Sequence, residues 1–132
     1  WANEGAAGLQ DVLEIASIRR RWLERVSHSG RWPSVEEVLQ ARSLSPSDQV
    51  RYTVAVSLTE YLLTRGTSRE FIQFALDGSQ QGWNTALQQH YNIQDTGQLS
   101  AGWRAWATQQ LQNNQRQQLR TATPASQAIQ RR

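Results

Sequence analysis

The stretch SPSDQVRYTVAVSLTEYLL, residues 45–63, decides the fold, because it joins a helix start signal to an unusually apolar helix. Ser45 suits the N-cap position, and Pro46 suits the first helical position, where its missing N–H costs nothing. The acidic Asp48 favours the positive end of the helix. Apolar side chains occur nearly all round the helix, which is typical of a buried helix. We therefore predict a central helix that ends at Gly66 in a left-handed cap.

The segments on both sides of this helix also carry helical patterns. Apolar residues recur three or four positions apart, and no strand-like alternation persists. Ser34-Val35-Glu36-Glu37 has the capping-box pattern that begins a short helix, Ser68 is placed to cap a later helix, and Gly78 to end it. We predict an all-α fold of about six or seven helices packed around the central helix. The residues that should be mostly buried are Leu58, Leu62, Phe71, Phe74, Leu87 and Trp103.

The composition changes near residue 112. We predict a helical domain over residues 1–112 and a flexible, largely disordered polar tail over residues 113–132, because the Gln-, Asn- and Arg-rich tail has too little apolar surface to offset its ordering entropy. Residues 96–132 hold five Arg and no acid. No aromatic residue follows Trp106 to stack on bases, so we predict no nucleic-acid partner. No run of about eighteen apolar residues occurs, so we predict no membrane span.

Trp1-Ala2-Asn3-Glu4-Gly5 is the stretch with the most specific chemistry. It resembles the Trp-x-x-Glu-Gly segment that carries the third zinc ligand in the gluzincin (peptidase-MA-like) zinc metallopeptidases. Residues 31–107 resemble the C-terminal part of the same domains. The similar segments are the proline-led short helix at residues 31–39, the Tyr-to-Leu-Leu helix at residues 52–63 and the closing Leu-x-x-x-Trp-Arg-x-Trp segment at residues 99–106. Each motif is degenerate, but the order and spacing of the motifs resemble those of the gluzincin domains.

The resemblance implies that residues 1–112 are the helical C-terminal half of a zinc metallopeptidase domain. Glu4 would be a metal ligand, and Tyr52 would be a catalytic residue that donates a hydrogen bond to the oxyanion of the tetrahedral intermediate. In such enzymes an upstream His-Glu-x-x-His helix supplies the other two zinc ligands, and this chain lacks that motif. The resemblance implies zinc and a peptide or protein substrate for the intact parent, neither zinc nor activity for this chain alone, and by analogy a secreted or periplasmic location.

Other interpretations of these residues stay open. Glu4 is also a first-turn acid favoured by the helix dipole, and Tyr52 could pack in the core with its hydroxyl bonded to a carbonyl. His90 lies on an apolar helix face and is predicted to be packed and hydrogen-bonded, whereas His28, in a polar turn, is predicted to be solvated. The alternative function is a non-catalytic helical protein-interaction module. The residues upstream of Trp1 in the intact gene would distinguish the two functions.

A chain cut from a larger domain should expose apolar surface that its missing half once covered. We predict that residues 1–18, together with Tyr52 and part of its helix, border an open apolar groove through which the chain could form a dimer. Trp1 and Trp32 could line a cleft. The tryptophans predicted to lie in the core are Trp22, Trp83, Trp103 and Trp106.

Overall fold

The structure, a computed structural model, describes residues 1–10, 13–44 and 47–129. All regular structure in these ranges is helical, which confirms the predicted all-α fold. Within them seven helices follow one another: α1 (Ala2–Gly8), α2 (Leu13–Ser29), α3 (Val35–Gln40), α4 (Gln49–Arg65), α5 (Ser68–Gln81), α6 (Trp83–Tyr91) and α7 (Thr96–Ile129).

Helix α4 lies at the centre of the fold, as its composition predicts. It packs against α1, α2, α3, α5 and α7. From Thr53 to Leu62 every side chain of α4 except that of Glu60 is buried. All six residues predicted to form the core are buried. Because burying a large apolar side chain stabilises a fold by about 1.5–3 kcal/mol, α4 anchors the other helices.

The ends of α4 differ from the sequence prediction. The helix begins at Gln49 with Asp48 as its N-cap, and the Asp48 carboxylate accepts a 3.2 Å hydrogen bond from the backbone N–H of Arg51. The predicted cap at residues 45–46 lies outside the described residues. Gly66 is extended, with φ of −167°, rather than left-handed. The reason is that Thr67, not Ser68, begins α5 through a reciprocal capping box with Glu70, which leaves no room for a separate left-handed cap.

Helix α5 continues past Gly78, where the sequence predicted its end, and runs to Gln81. Gly78 is buried, and the Trp83 ring lies so close that a Cβ on this residue would overlap it. The chain turns at Gly82 instead, whose φ of 97° is a left-handed value that favours glycine. Gly78 therefore serves packing between α5 and α6 rather than helix termination.

Trp1 lies in the core, with 6 % of its surface exposed, and it also lines an open groove, as the sequence allowed. Its ring meets those of Phe71, Phe74 and Trp83 at centroid distances of 5.8, 6.2 and 5.8 Å. Edge-on pairs of this kind stabilise beyond the area they bury. Trp103 is fully buried as predicted. The tryptophans that are half-buried are Trp22, Trp32, Trp83 and Trp106.

Helix α7 packs on the core through Leu99, Trp103, Ala107 and Leu111, which repeat at a spacing of four residues. Beyond Leu111 the described side chains are exposed, except for a half-buried Asn114. Leu111, the last buried side chain among those described, lies next to the predicted boundary at residue 112, and the division into domain and tail stays a prediction. The backbone is helical through Ile129, and the Gln, Arg and Ala residues of this segment have favourable helix propensity. The predicted disorder of residues 113–132 stays a prediction for solution, and residues 130–132 lie outside the described residues.

Candidate functional site

Glu4, the predicted metal ligand, lies in the first turn of α1. Its carboxylate is 3.2 Å from the Trp1 amino group, and 32 % of its side chain is exposed. Backbone N–H groups at the start of the helix, that of Glu4 itself first, hold the pKa of the Glu4 carboxyl below its usual range, although partial burial opposes them. The Trp1 amino group and the Leu44 N–H act in the same direction. Glu4 is thus an ionised carboxylate with part of its surface open to solvent.

An open groove of about 500 Å³ adjoins this carboxylate. We call it the Glu4 groove. Its walls come from the start of α1, the end of α3 and the segment after it, and helices α5 and α6. The lining residues are Trp1, Ala2, Asn3, Glu4, Leu39, Gln40, Ala41, Arg42, Ala75, Leu76, Ser79 and Trp83.

The residue after Glu4 explains how α1 is held in place. Gly5 is buried against α4, where a Cβ would overlap the Thr59 hydroxyl and approach the Ala55 carbonyl oxygen. One turn later, a Cβ on Gly8 would overlap the Val56 side chain. Only hydrogen at these two positions allows the two helix backbones to come this close. The Glu-Gly pair therefore couples the position of the carboxylate to the central helix.

Tyr52, the predicted catalytic residue, is a half-buried residue in the first turn of α4. Its hydroxyl lies beside α1, 3.2 Å from where a Cβ on Gly8 would be. Tyr52 lines a different groove from Glu4, on the side of α2. The structure brings both residues to α1, one helical turn apart, but does not place them in one pocket.

The two histidines behave as their sequence context predicts. The His90 Nε2 lies 2.6 Å from the Asp77 carboxylate, and the pair joins α6 to α5. His28 is exposed near the end of α2. Among the described residues no three side chains of His, Cys, Asp or Glu form a group that could hold a metal ion. Glu4 therefore has no co-ligands in the part of the chain described.

The groove that Tyr52 lines has a volume of about 350 Å³ and lies between α2 and the start of α4. We call it the Ile18 groove. Arg19 forms part of its wall and donates a 2.9 Å hydrogen bond to the Gly8 carbonyl oxygen, which ties α2 to the end of α1. The lining residues are Ile15, Ile18, Arg19, Trp22, Gln49, Tyr52 and Thr53.

A third depression, which sequence reasoning missed, lies between α2, α4 and α7 around Glu60. We call it the Glu60 cleft. Desolvation raises the pKa of the Glu60 carboxyl, and the nearby Arg19 and Arg20 offset part of this rise. The signal was present in the sequence, because Thr53, Ser57 and Glu60 form a polar line at i, i+4 and i+7 on an otherwise apolar helix.

Within the described ranges, no helix combines the length and the apolar character that crossing a bilayer requires. Comparison of the chain with protein-family models, with curated proteins and with solved structures finds no significant match. We therefore base the assignment of function on the residues themselves.

Proposed function

We propose that this chain is the helical C-terminal portion of a zinc-dependent metallopeptidase, in which Glu4 supplies the third zinc ligand and α1 forms part of the substrate cleft. One observation carries the proposal. Glu4 is an ionised, partly exposed carboxylate beside an open groove, on a helix that Gly5 and Gly8 hold tightly against the buried α4. The Trp-x-x-Glu-Gly segment thus has a physical reason for each of its last two residues.

A metal ligand must be deprotonated and fixed in position. Glu4 meets the first requirement, because the hydrogen bond from its own backbone N–H, the largest influence on its pKa, favours the carboxylate at neutral pH. The close packing of Gly5 on α4 meets the second. Catalytic zinc in proteins takes three protein ligands and leaves one position open. The described residues offer no group that could complete such a site, so the proposal assigns the two further ligands to an upstream His-Glu-x-x-His helix.

When bound, zinc lowers the pKa of a coordinated water and polarises the substrate carbonyl. The residues of this chain would orient the metal and the substrate. Tyr52 remains in the proposal as a donor to the oxyanion on the basis of the resemblance alone, since its hydroxyl reaches α1 one turn after Glu4 but lines a different groove. The groove beside Glu4 provides an open surface on which a peptide could lie, with apolar walls at Leu39 and Leu76.

The first test is a reading of the intact gene. A His-Glu-x-x-His sequence about 15–25 residues before Trp1 would supply the missing two ligands and the catalytic glutamate. An intact reading frame without such a motif would refute the proposal and leave the alternative, a non-catalytic helical interaction module. That alternative is favoured by one separate feature, the exposed apolar Ile18 groove.

The second test uses the full-length gene product. We expect Glu4→Gln to weaken zinc binding at least about tenfold, since a neutral amide replaces an anionic ligand, while the helical circular dichroism signal and melting temperature stay close to wild type. Glu37→Gln is the matched control, because this carboxylate is exposed and makes only a 3.7 Å ion pair with Arg51. Equal zinc content and equal affinity in the Glu4→Gln and Glu37→Gln proteins would refute a ligand role for Glu4.

A third test separates Tyr52 from the metal. Tyr52→Phe in the full-length product should lower kcat by about 10²–10³ with zinc content unchanged, which is the size of loss typical of a removed oxyanion donor. A variant with normal kcat would assign Tyr52 to packing alone. The 132-residue chain by itself should hold no stoichiometric zinc, because one carboxylate cannot fix a tetrahedral site.

A further inference from the structure

Helix α2 exposes a row of apolar side chains to solvent. Ile15 and Ile18 are 44 % and 55 % exposed, and Trp22 continues the same row at the spacing i, i+3, i+7. Scattered apolar residues are normal on a surface, but a contiguous row that borders a depression marks an interaction site. The three residues line one side of the Ile18 groove.

The groove is concave and largely preformed. Tyr52 and Thr53 of α4 form its other wall, and α4 is the most buried helix of the fold. Arg19 is fixed by its hydrogen bond to Gly8, so the wall on the α1 side is also held. A volume of about 350 Å³ accommodates two or three apolar side chains projecting from a partner. A flat lipid surface would leave such a depression unfilled.

The side of α2 that carries Ile18 has more basic than acidic residues, Arg21 and Arg25 against Glu14, and forms a basic rim beside the groove. Arg21 and Arg25 follow Ile18 by three and seven residues, so they lie on the same side of α2, and both are exposed. A partner that fills the apolar groove would therefore place its own flanking side chains next to guanidinium groups. Carboxylates at those positions gain charge complementarity, whereas ammonium groups would be repelled.

We infer that the Ile18 groove is a docking site for an amphipathic helical peptide whose apolar residues, spaced i, i+3 and i+7, are flanked by Asp or Glu. The apolar row and the concave wall match the helix-in-groove mode of recognition. The basic rim selects the charge of the partner. This site shares Tyr52 with the proposed peptidase site but lacks Glu4 among its lining residues, so peptide binding here does not require the metal.

The test is a titration of the 132-residue protein into a dye-labelled synthetic peptide with Leu at i, i+3 and i+7 and Glu at the flanking positions, followed by fluorescence anisotropy. A second peptide carries Lys in place of Glu. We expect the Glu peptide to bind at least about tenfold more tightly than the Lys peptide at low salt, with the difference shrinking as salt is added. Equal binding of both peptides, or no binding of either, would overturn the inference.

Variants of the protein locate the site. Ile18→Asp should weaken binding of the Glu peptide at least about tenfold, because it places a charge in the apolar row. Ile72→Asp is the matched control, since Ile72 is 58 % exposed on α5, away from the groove, and should leave binding unchanged. If Ile18→Asp does not fold, the double variant Arg21→Glu with Arg25→Glu changes only exposed positions and should reverse the preference between the two peptides. Loss of binding by Ile72→Asp, or an unchanged preference in the double variant, would contradict the assignment.

Two other occupants give distinct outcomes. Self-association abolished by Ile18→Asp, with no binding of the Glu peptide, would assign the groove to a second copy of the chain and overturn the inference. Binding to vesicles of anionic lipid that requires Ile18, again without peptide binding, would assign it to a membrane surface and overturn it too.

Discussion

The indole N–H of Trp103 donates a 2.9 Å hydrogen bond to the hydroxyl oxygen of Ser57, which joins α7 to α4 across 46 residues of sequence. Both side chains are buried, with Trp103 fully so. A buried indole N–H needs an acceptor, and Ser57 is the polar side chain that α4 places against it. This bond fixes which turn of α7 packs on the central helix.

We expect Ser57→Ala to lower the free energy of unfolding by about 1–3 kcal/mol, because it leaves the Trp103 N–H buried without an acceptor. Urea unfolding measures the loss. Ser79→Ala is the control, since the Ser79 hydroxyl is exposed and bonds only to the Leu76 carbonyl of its own helix. Equal stability losses in the two variants would show that the Trp103–Ser57 bond does not contribute.

Gly5→Ala should destabilise the protein by about 1–3 kcal/mol, through overlap of the new methyl group with Thr59 and the Ala55 carbonyl. The direction of the stability change tests the packing, because Gly→Ala at an exposed helix position instead stabilises a protein by roughly 0.5–1 kcal/mol. Thermal unfolding followed by circular dichroism checks the direction. Ala6→Ser, at the exposed next position of α1, should change stability by less than about 0.5 kcal/mol. A stabilised Gly5→Ala protein would mean that α1 does not pack on α4 as described.

Tyr91→Phe should be neutral or stabilising by up to about 1 kcal/mol at neutral pH, because the Tyr91 hydroxyl is buried with no hydrogen-bond partner among the described residues. Desolvation first, and then the charge of Glu70, raises the pKa of Tyr91 to about 12. The native state therefore holds this proton more tightly than the unfolded chain, whose Tyr pKa is about 10. Stability should fall as pH rises through this window in the wild type, and Tyr91→Phe should remove that part of the fall. An equal fall of the free energy of unfolding with rising pH in both proteins would contradict the role of Tyr91.

Glu60→Gln should raise the free energy of unfolding near neutral pH. Desolvation raises the pKa of Glu60, so the native state favours its protonated form, and stability is lost as pH rises from the unfolded pKa through the folded one. The gain in the variant should be below about 1 kcal/mol, since the side chain is exposed and screened by solvent. It should vanish below about pH 4, where both states are protonated. A less stable Glu60→Gln protein at neutral pH would mean that attraction to Arg19 and Arg20 outweighs desolvation.

Truncation after Gln118 should change the melting temperature little, because Leu111 is the last buried side chain among those of α7 that the structure describes. Helix without packing is marginal in water, so amides from about Gln115 onward should exchange within seconds while those near Trp103 stay protected. Hydrogen exchange followed by mass spectrometry measures both regions. A large loss of stability, or protection that extends past Gln118, would show that this segment has a packing partner and would contradict the predicted disorder.

Local signals in the sequence were sufficient for the helical fold. The apolar period located the helices, and the Ser34 side chain caps α3 as its motif predicts, by accepting a bond from the Glu37 N–H. Where several neighbouring residues could each cap a helix, the sequence did not identify which of them forms the N-cap. Asp48 caps α4, and Thr67 caps α5 one residue before the predicted Ser68; each is one of several neighbouring residues able to cap a helix.

Features that depend on distant residues could not be predicted. Trp1 is buried because it contacts Phe71, Phe74 and Trp83, which lie 70 or more residues away in the sequence. No pattern near residue 1 predicts these contacts. The resemblance of residues 1–5 to a known motif identified Glu4 as a candidate metal ligand. The lowered pKa of Glu4 and the groove beside it depend on the folded structure.

The packing of α1 on α4 has a consequence for the order in which these two helices fold. Helix α1 has seven residues, too few to persist alone, and the contacts that hold it come from α4 in the middle of the chain. Closing that long loop costs entropy that only an already formed α4 can offset. We therefore expect the segment carrying Glu4 to order after α4, which hydrogen exchange of the α1 amides relative to those of α4 would test. If Glu4 binds zinc as proposed, the metal would add a second anchor to α1, and metal loss would leave α1 held by its packing on α4 alone.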